Sequence, residues 1–528
     1  ATFGSWEVAW TPYLRASFAR MTSRWQSPSP EITSPVVPPV RWLGRATPAL
    51  LGLVGAGRAV GNGQYWWFGP AAVVGVMAVS VLRWATTRYR ITPEQVQLRT
   101  GLLQRKTVAT PTDRVRSVDV TASPLHRLLG LAKVDIGTGS HASGSDLSLD
   151  SLPAAEAAAL RAELLHRIPV GLPPGSADDS VRVSEPISHA PPDRAGDIEL
   201  ARLDPRWVRF APFTMSGVLA SAAILGVGWN LVEQLDVNPS DVGPVKGFLE
   251  HLRRTPIWVD ILQGTVVLLG VVTVLSIGGY LLSYWGFRLS RHAHGSLQIT
   301  RGLLTTRAVS IEERRLRGVE LAEPLLLRIV RAARLRGITT GLNSRGGADG
   351  GSSLLLPPAP RDVVAQLAAQ ILHDPAPLQV TLISHGSAAR RRRLTRALVP
   401  AFTVIATAGV AIFAGASQWL AMPAVLSVPV AAMLAVDRYR SLGHALAGSA
   451  LVTRQGSLDR RLDVLLCDGI IGWNVRESFF QRRAGLATLT ATTAGGRQGY
   501  AVPDVPLSVA LSLGNRAVPG LLGPFLVP

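Results

Sequence analysis

The 528-residue chain is short of charge, of acid and of sulfur. Charged residues make up 17%, against the roughly 25% usual for a soluble globular protein. Of these, 35 are acidic and 54 basic, a formal net of +19. A nucleic-acid binder is basic but rich in charge, so nucleic acid is not an expected partner. A single cysteine, Cys467, excludes an intramolecular disulfide and a thiolate cluster. It reads as a small buried apolar residue. No Gly-x-Ser-x-Gly, His-Glu-x-x-His or Walker sequence occurs, and no pair of carboxylates is spaced for acid–base work. The one close histidine pair, His292 and His294, reads as surface histidine beside a membrane, not a metal site. The chain is therefore read as non-enzymatic, with no cofactor.

What the chain has is long charge-free runs. A bilayer core takes about 20 apolar residues in a helix. Ala59–Leu82 is uncharged for 24 residues, Phe210–Val232 for 23, Ile261–Gly286 for 26 and Ala397–Val436 for 40. The last run is long enough for two spans turning near Ala416–Trp419. A weaker sixth candidate surrounds residues 42–60, interrupted by Arg45 and Arg58. Tryptophans gather near the span ends: Trp42, Trp66, Trp67, Trp84, Trp207, Trp229, Trp258, Trp285 and Trp419. This reads as an aromatic belt at head-group level.

Arginines mark one side of every pair of spans. They include Arg83, Arg88 and Arg90, Arg202, Arg206 and Arg209, Arg288 and Arg291, and Arg438 and Arg440. The densest set is Arg390, Arg391, Arg392, Arg393 and Arg396, a candidate contact for anionic lipid and a fixer of topology. The spans thus form three hairpins, and the large segments between them lie on the cytoplasmic side of a cell membrane.

Those segments repeat. Val96–Leu103, Leu297–Leu304 and Leu451–Leu458 each bring a short strand to a glycine, Gly101, Gly302 or Gly456, before a second strand. That is a hairpin signature. Arg114-Val-Arg-Ser-Val-Asp-Val matches Arg315-Leu-Arg-Gly-Val-Glu-Leu, with Gly469-Ile-Ile-Gly-Trp-Asn-Val as a looser third copy. Ser123-Pro-Leu-His-Arg, Glu323-Pro-Leu-Leu-Leu-Arg and Ser478-Phe-Phe-Gln-Arg follow. Each copy ends in a proline and an amphipathic helix, from Leu152, Leu356 or Val502.

The predicted fold is an α+β membrane protein, with three transmembrane helical hairpins each followed by a β-sandwich or barrel with a C-terminal helix. Its boundaries are a disordered lead-in 1–40, hairpins 41–86, 207–286 and 397–437, β-rich domains 87–168, 287–373 and 438–518, linkers 169–206 and 374–396, and a tail 519–528. Ala1 is not an initiator, and Met21 offers an alternative start.

The strand–glycine–strand opening, the Arg-x-x-x-Val-x-Val strand, the Ser-Pro-Leu-x-Arg segment and the closing helix resemble bacterial pleckstrin-homology-like domains of membrane proteins. Three such domains interleaved with hairpins resemble the YdbT-like group. The resemblance implies a seven-stranded fold on the cytoplasmic face and a shorter, single-domain relative as membrane-protein partner, beside self-association. Two functions follow as expectations. One is a scaffold whose domains bind a partner in envelope maintenance or membrane-stress tolerance. The other is a transporter or sensor of a lipid or membrane-active molecule. The Arg-rich strands, with Arg99, Arg114 and Arg116 and with Arg314, Arg315 and Arg317, read as a solvated face.

Overall fold

The computed structural model describes residues 88–91, 95–100, 106–111, 117–128, 130–137, 147–157, 160, 198–214, 222, 226, 256–292, 295–340 and 353–521. The lead-in, the first hairpin and most of the third predicted span lie outside the described residues. The chain divides into two compact units, residues 1–113 with 149–153, and residues 114–148 with 154–528.

In the first unit, β1 (Arg88–Ile91), β2 (Gln95–Thr100) and β3 (Lys106–Pro111) form an antiparallel meander. Val96 is fully buried and Thr107 and Ala109 are exposed.

The second unit begins with β4 (Ser117–Ala122) and β5 (Leu131–Gly137), with a short helix Pro124–Leu128 between them, while most of β6 (Leu147–Pro153) belongs to the first unit. The next segment adds β7 (Ile198–Arg202), β8 (Arg288–His292), β9 (Ser296–Arg301) and β10 (Thr306–Glu312). After a one-turn 3-10 helix come β11 (Leu316–Pro324), β12 (Ala332–Thr339), β13 (Leu354–Pro360) and the helix Arg361–Leu372. The last segment repeats the plan. It has β14 (Gly443–Ala447), β15 (Ala450–Gln455), β16 (Asp459–Leu466), a 3-10 turn, β17 (Gly472–Arg476), β18 (Leu486–Thr492), β19 (Gly499–Pro506) and the helix Leu507–Ala517.

Glycine sets the hairpins where the sequence placed it. Gly302 and Gly456 take φ of 107° and 101°, and a Cβ on either would lie within about 2 Å of a backbone oxygen. The prolines before the closing helices end strands: Pro360 and Pro506 cap the helices at φ −53° and −55°, near the value the ring imposes.

The strands do not close into separate sandwiches. One sheet runs β5–β4–β10–β9–β8–β7, and another runs β13–β12–β11–β16–β15–β14. The second half of each segment therefore pairs with the first half of the next. Sheet-sharing buries both faces of the joining strands. Val452 and Val464 face the core formed with the helix Arg361–Leu372, while Leu451 and Leu465 face the core formed with β18 and β19. A strand buried on both faces reads as an apolar run, as Ala450-Leu-Val does.

Two boundaries differ from the sequence reading. Residues 198–202, placed in a linker, form β7 along β8. The chain thus enters the second sheet before its membrane segment and returns to it afterwards. Ile383 does the same beside His444 of β14, through backbone bonds of 2.8 and 3.3 Å. At the start of the span predicted from Phe210, Pro205–Phe213 is a 3-10 helix capped by Asp204, and most of the rest of that span lies outside the described residues. Trp207 is a correction to the belt reading: with Phe210 it is buried in the apolar core beside Phe287 and Leu289. Trp258, Trp285 and Trp419 are exposed.

Among the described residues, three helices are long and apolar enough to cross a membrane, within Ile261–Tyr284, Gly386–Phe413 and Gln418–Arg440. The last two pack along each other after a turn at residues 414–420. Their flanks expose Val266, Val410, Phe413 and Met433, faces that suit hydrocarbon and not water. The 28-residue helix Gly386–Phe413 is about 42 Å long at 1.5 Å per residue, against a core of about 30 Å. Its Arg-rich first turns therefore have room to stand outside the hydrocarbon.

Candidate interaction site at the repeat joints

The joint between β11 and β16 combines apolar pairs on one face with buried charge on the other. Val319 lies opposite Val464 and Leu321 opposite Leu462. Between them Glu320 lies opposite Asp463, two carboxylates that are 5% and 0% exposed. Like charges face to face in a sheet repel. Arg497, from the turn between β18 and β19, compensates by bonding both oxygens of Asp463 at 2.8 and 2.9 Å and reaching Glu320 at 3.3 Å. Arg336 and Arg461 approach Glu320 at 3.5 and 3.7 Å. Burial pushes Asp463 up to about 6, against the opposing pull of Arg497. Arg497 also stacks 4.9 Å over the Tyr500 ring, whose hydroxyl burial raises to about 12.

At the end of the joint Glu323 accepts from Arg460 Nε at 2.7 Å and pairs with Arg361 at 2.8 Å. Gly318, at φ 150°, lets the two backbones approach; a Cβ there would lie 2.0 Å from the carbonyl oxygen of Val464. Of the second-copy arginines read as a solvated face, Arg314 is 61% exposed although it too pairs with Glu312, at 2.9 Å, as Arg315 does; Arg317 pairs with Asp468. The strand plan aligned these residues correctly, but partners far along the chain were not visible in it.

The arginine cluster divides in two. Arg390, Arg391 and Arg396 are exposed, as are Arg438 and Arg440 at the end of the following helix. Arg392 and Arg393 turn inward and pair with the fully buried Asp504, the latter at 2.6 Å. Asp504 sits at φ 59° in β19, a left-handed position that aspartate tolerates, and also accepts from Gln481 Nε2 at 2.9 Å. Gln481 is itself fixed by a capping box with Ser478. Beside this group, His385 Nδ1 lies 2.8 Å from the Pro503 carbonyl, which only accepts, so Nδ1 carries the proton. His385 Nε2 then accepts from His444 Nδ1 at 3.0 Å. His444 Nε2 is buried without a partner. Burial, then the neighbouring His385, lowers His444 to about 4, and burial lowers His385 too. Both rings are neutral at pH 7.

A third tie reaches the next helix. Asp437 takes both Nη atoms of Arg328, at 2.8 and 3.2 Å, and the Ser457 hydroxyl at 2.8 Å. Two of the long apolar helices are thus tied to the β-rich segments by ion pairs, buried at Asp504 and partly buried at Asp437. His292, of the sequence-level histidine pair, hydrogen-bonds Gln298; His294 lies outside the described residues. Among the described residues no group of three or more His, Cys, Asp or Glu is placed to hold a metal.

Comparison with known proteins agrees with this architecture. The bacterial PH domain family matches residues 47–168 and 396–516. Each match takes in a predicted membrane hairpin, or most of it, together with the strands that follow. The third copy, loosest in its motifs, is one of the two. The UPF0699 transmembrane protein YdbT of Bacillus subtilis (strain 168) is 20% identical over 422 residues, covering 79% of this chain and 81% of the relative. No solved structure matches. The chain is a YdbT-like membrane protein carrying bacterial PH domains.

Proposed function

We propose that the chain is a non-enzymatic scaffold of the cell membrane, with three PH-like domains on the cytoplasmic face, each preceded by a hairpin, that hold a partner membrane protein. The observation that carries this reading is the pairing of β11 with β16, and of β4 with β10, across successive segments. Shared sheets with buried ion pairs tie together successive segments of the second unit that would otherwise move independently. Such a body presents surfaces at fixed spacing, which suits recognition of another protein. The cytoplasmic placement draws support from exposed Arg390, Arg391, Arg396, Arg438 and Arg440, which lie at the ends of two spans nearest the β-sheets. These five are the proposed contacts for anionic lipid, each worth about 1 kcal/mol near the surface. The partner class is another bacterial PH domain membrane protein, a shorter relative or a second copy, in envelope maintenance.

Affinity purification from native membranes in mild detergent tests the proposal. The expected result is a stoichiometric membrane-protein partner or a self-assembled complex. Recovery of the chain alone and monomeric would overturn it.

A further inference from the structure

The two joints have one register. In β4·β10, Val118 lies opposite Ser310, and in β11·β16, Val319 lies opposite Val464. Ser310 and Val464 each stand eight residues past their turn glycines, Gly302 and Gly456. Val118 and Val319 hold the same place in their aligned motifs. In the third segment that place belongs to Trp473, on β17.

Among the described strands β17 has one neighbour, β18. Its Asn474, Val475 and Arg476 are exposed, whereas the equivalent strand β11 is buried almost throughout. Ile471, Phe479 and Phe480 beside it are 62%, 65% and 72% exposed. In the second segment Leu325, at the place of Phe479, is only partly exposed. Its N–H donates at 2.7 Å to the Leu458 carbonyl in the hairpin turn of the next segment. At the other end of the chain, β3 is the strand equivalent to β10 and β16, and it too has one described neighbour, β2. Among the described strands, one of each kind that makes a joint, β17 and β3, is therefore left with a single neighbour.

We propose that β17 of one chain pairs antiparallel with β3 of a second copy, reproducing the joint between chains. The proposal rests on the scaffold reading and gives it a surface. The shared register sets Trp473 opposite Ala109, Val475 opposite Thr107 and Arg476 opposite Lys106. A large residue meets a small one, and two β-branched residues pair, both favourable across strands. Unpaired edges of this kind are templates for strand addition. Joining unlike strands is a heterologous contact, which builds rings or open rows of copies. Because the same joint links successive segments within a chain, repeating it between chains keeps neighbouring hairpins on one membrane side. The Arg476–Lys106 pair repels, so added salt strengthens the contact.

Thr107 and Val475 are both exposed, so cysteine at either leaves the core alone. In a Cys467→Ala background, one tagged chain carries Thr107→Cys and a differently tagged chain carries Val475→Cys, co-expressed in one membrane and oxidised with copper phenanthroline. The expected product is a disulfide-linked heterodimer only when both substitutions are present, and a ladder of multimers from the doubly substituted chain. Yield rises as salt goes from about 0.01 M to about 1 M, where the Debye length falls from about 30 Å to about 3 Å. A doubly substituted chain that links only to itself overturns the proposal. So does absence of the link while the two tags still co-purify; the scaffold reading then survives through another surface. Absence of both the link and any co-purification overturns the two together.

Discussion

Replacing Asp504 with Asn removes one negative charge and little else. The amide has the same shape and tolerates the left-handed backbone at φ 59°. What remains are two guanidiniums, Arg392 and Arg393, whose side chains are 12% and 17% exposed and which have lost their common counter-charge. Breaking a buried ion pair from one side costs about 3–5 kcal/mol, because the remaining charge is left uncompensated. Gln481 loses an acceptor oxygen as well, unless the new amide turns its carbonyl toward it. In thermal unfolding of the detergent-solubilised protein, where a chain of this length loses about 1 °C per kcal/mol, Asp504→Asn should lower Tm by about 3–5 °C. The decisive comparison is a cycle with Arg392→Gln and Arg393→Gln. With all three changed, no charge is stranded, and much of the loss should return. A single variant as stable as the parent, or losses that simply add, would refute the view that these arginines bolt the helix to β19.

Other consequences can be checked separately. Gly318→Ala forces a Cβ to 2.0 Å from the Val464 carbonyl oxygen and should open the β11·β16 joint, seen as protease cleavage between the two strands; Ala at the unconfined Gly472 should not. Arg497→Met strands Glu320 and Asp463, costing about 3–5 kcal/mol near pH 7.5. Because Asp463 is already raised, that loss should shrink as pH falls toward 5, read by denaturant titration at several pH values. His444, held near 4, gives the opposite slope. The unfolded ring takes up a proton below about 6.5 and the folded one does not, so its share of stability falls as pH drops from 6.5 to 4. His385 beneath it, Arg516, Arg393 and Asp504 are the charged or titratable groups nearby. His444→Leu should flatten that slope, and an unchanged slope would count against the neutral pair.

Much of the membrane part was legible because a charge-free run has few alternatives: Ile261–Gly286 and Ala397–Val436 coincide with the apolar stretches of the helices seen, which run on into charged residues at Gly386–Ala397 and Val436–Arg440. The hairpin glycines were legible for a similar reason, since their backbone angles suit glycine alone. Trp207 was not, because a tryptophan near a span end looks the same whether it meets lipid or a protein core. The sharing of sheets lay hidden, since β11 and β16 are separated by two long apolar helices and pairing partners at that distance leave no local periodicity. The one available sign was the unbroken apolar run at Ala450–Val452, where a one-faced strand would alternate. The arginine cluster was read as a single topogenic feature because counting charges says nothing of Asp504, more than a hundred residues away. The fold sends two of the five arginines inward and leaves three exposed.

The joint itself is open to a direct measurement, hydrogen–deuterium exchange of the lipid-embedded chain resolved to β10, β11 and β16. If successive segments share sheets, amides of Val319–Glu323 and Arg460–Val464 are protected on both strands to a similar degree and open together, and Gly318→Ala releases both at once. Rapid exchange along β11 and β16 in the parent, at rates typical of free sheet edges, would contradict the account.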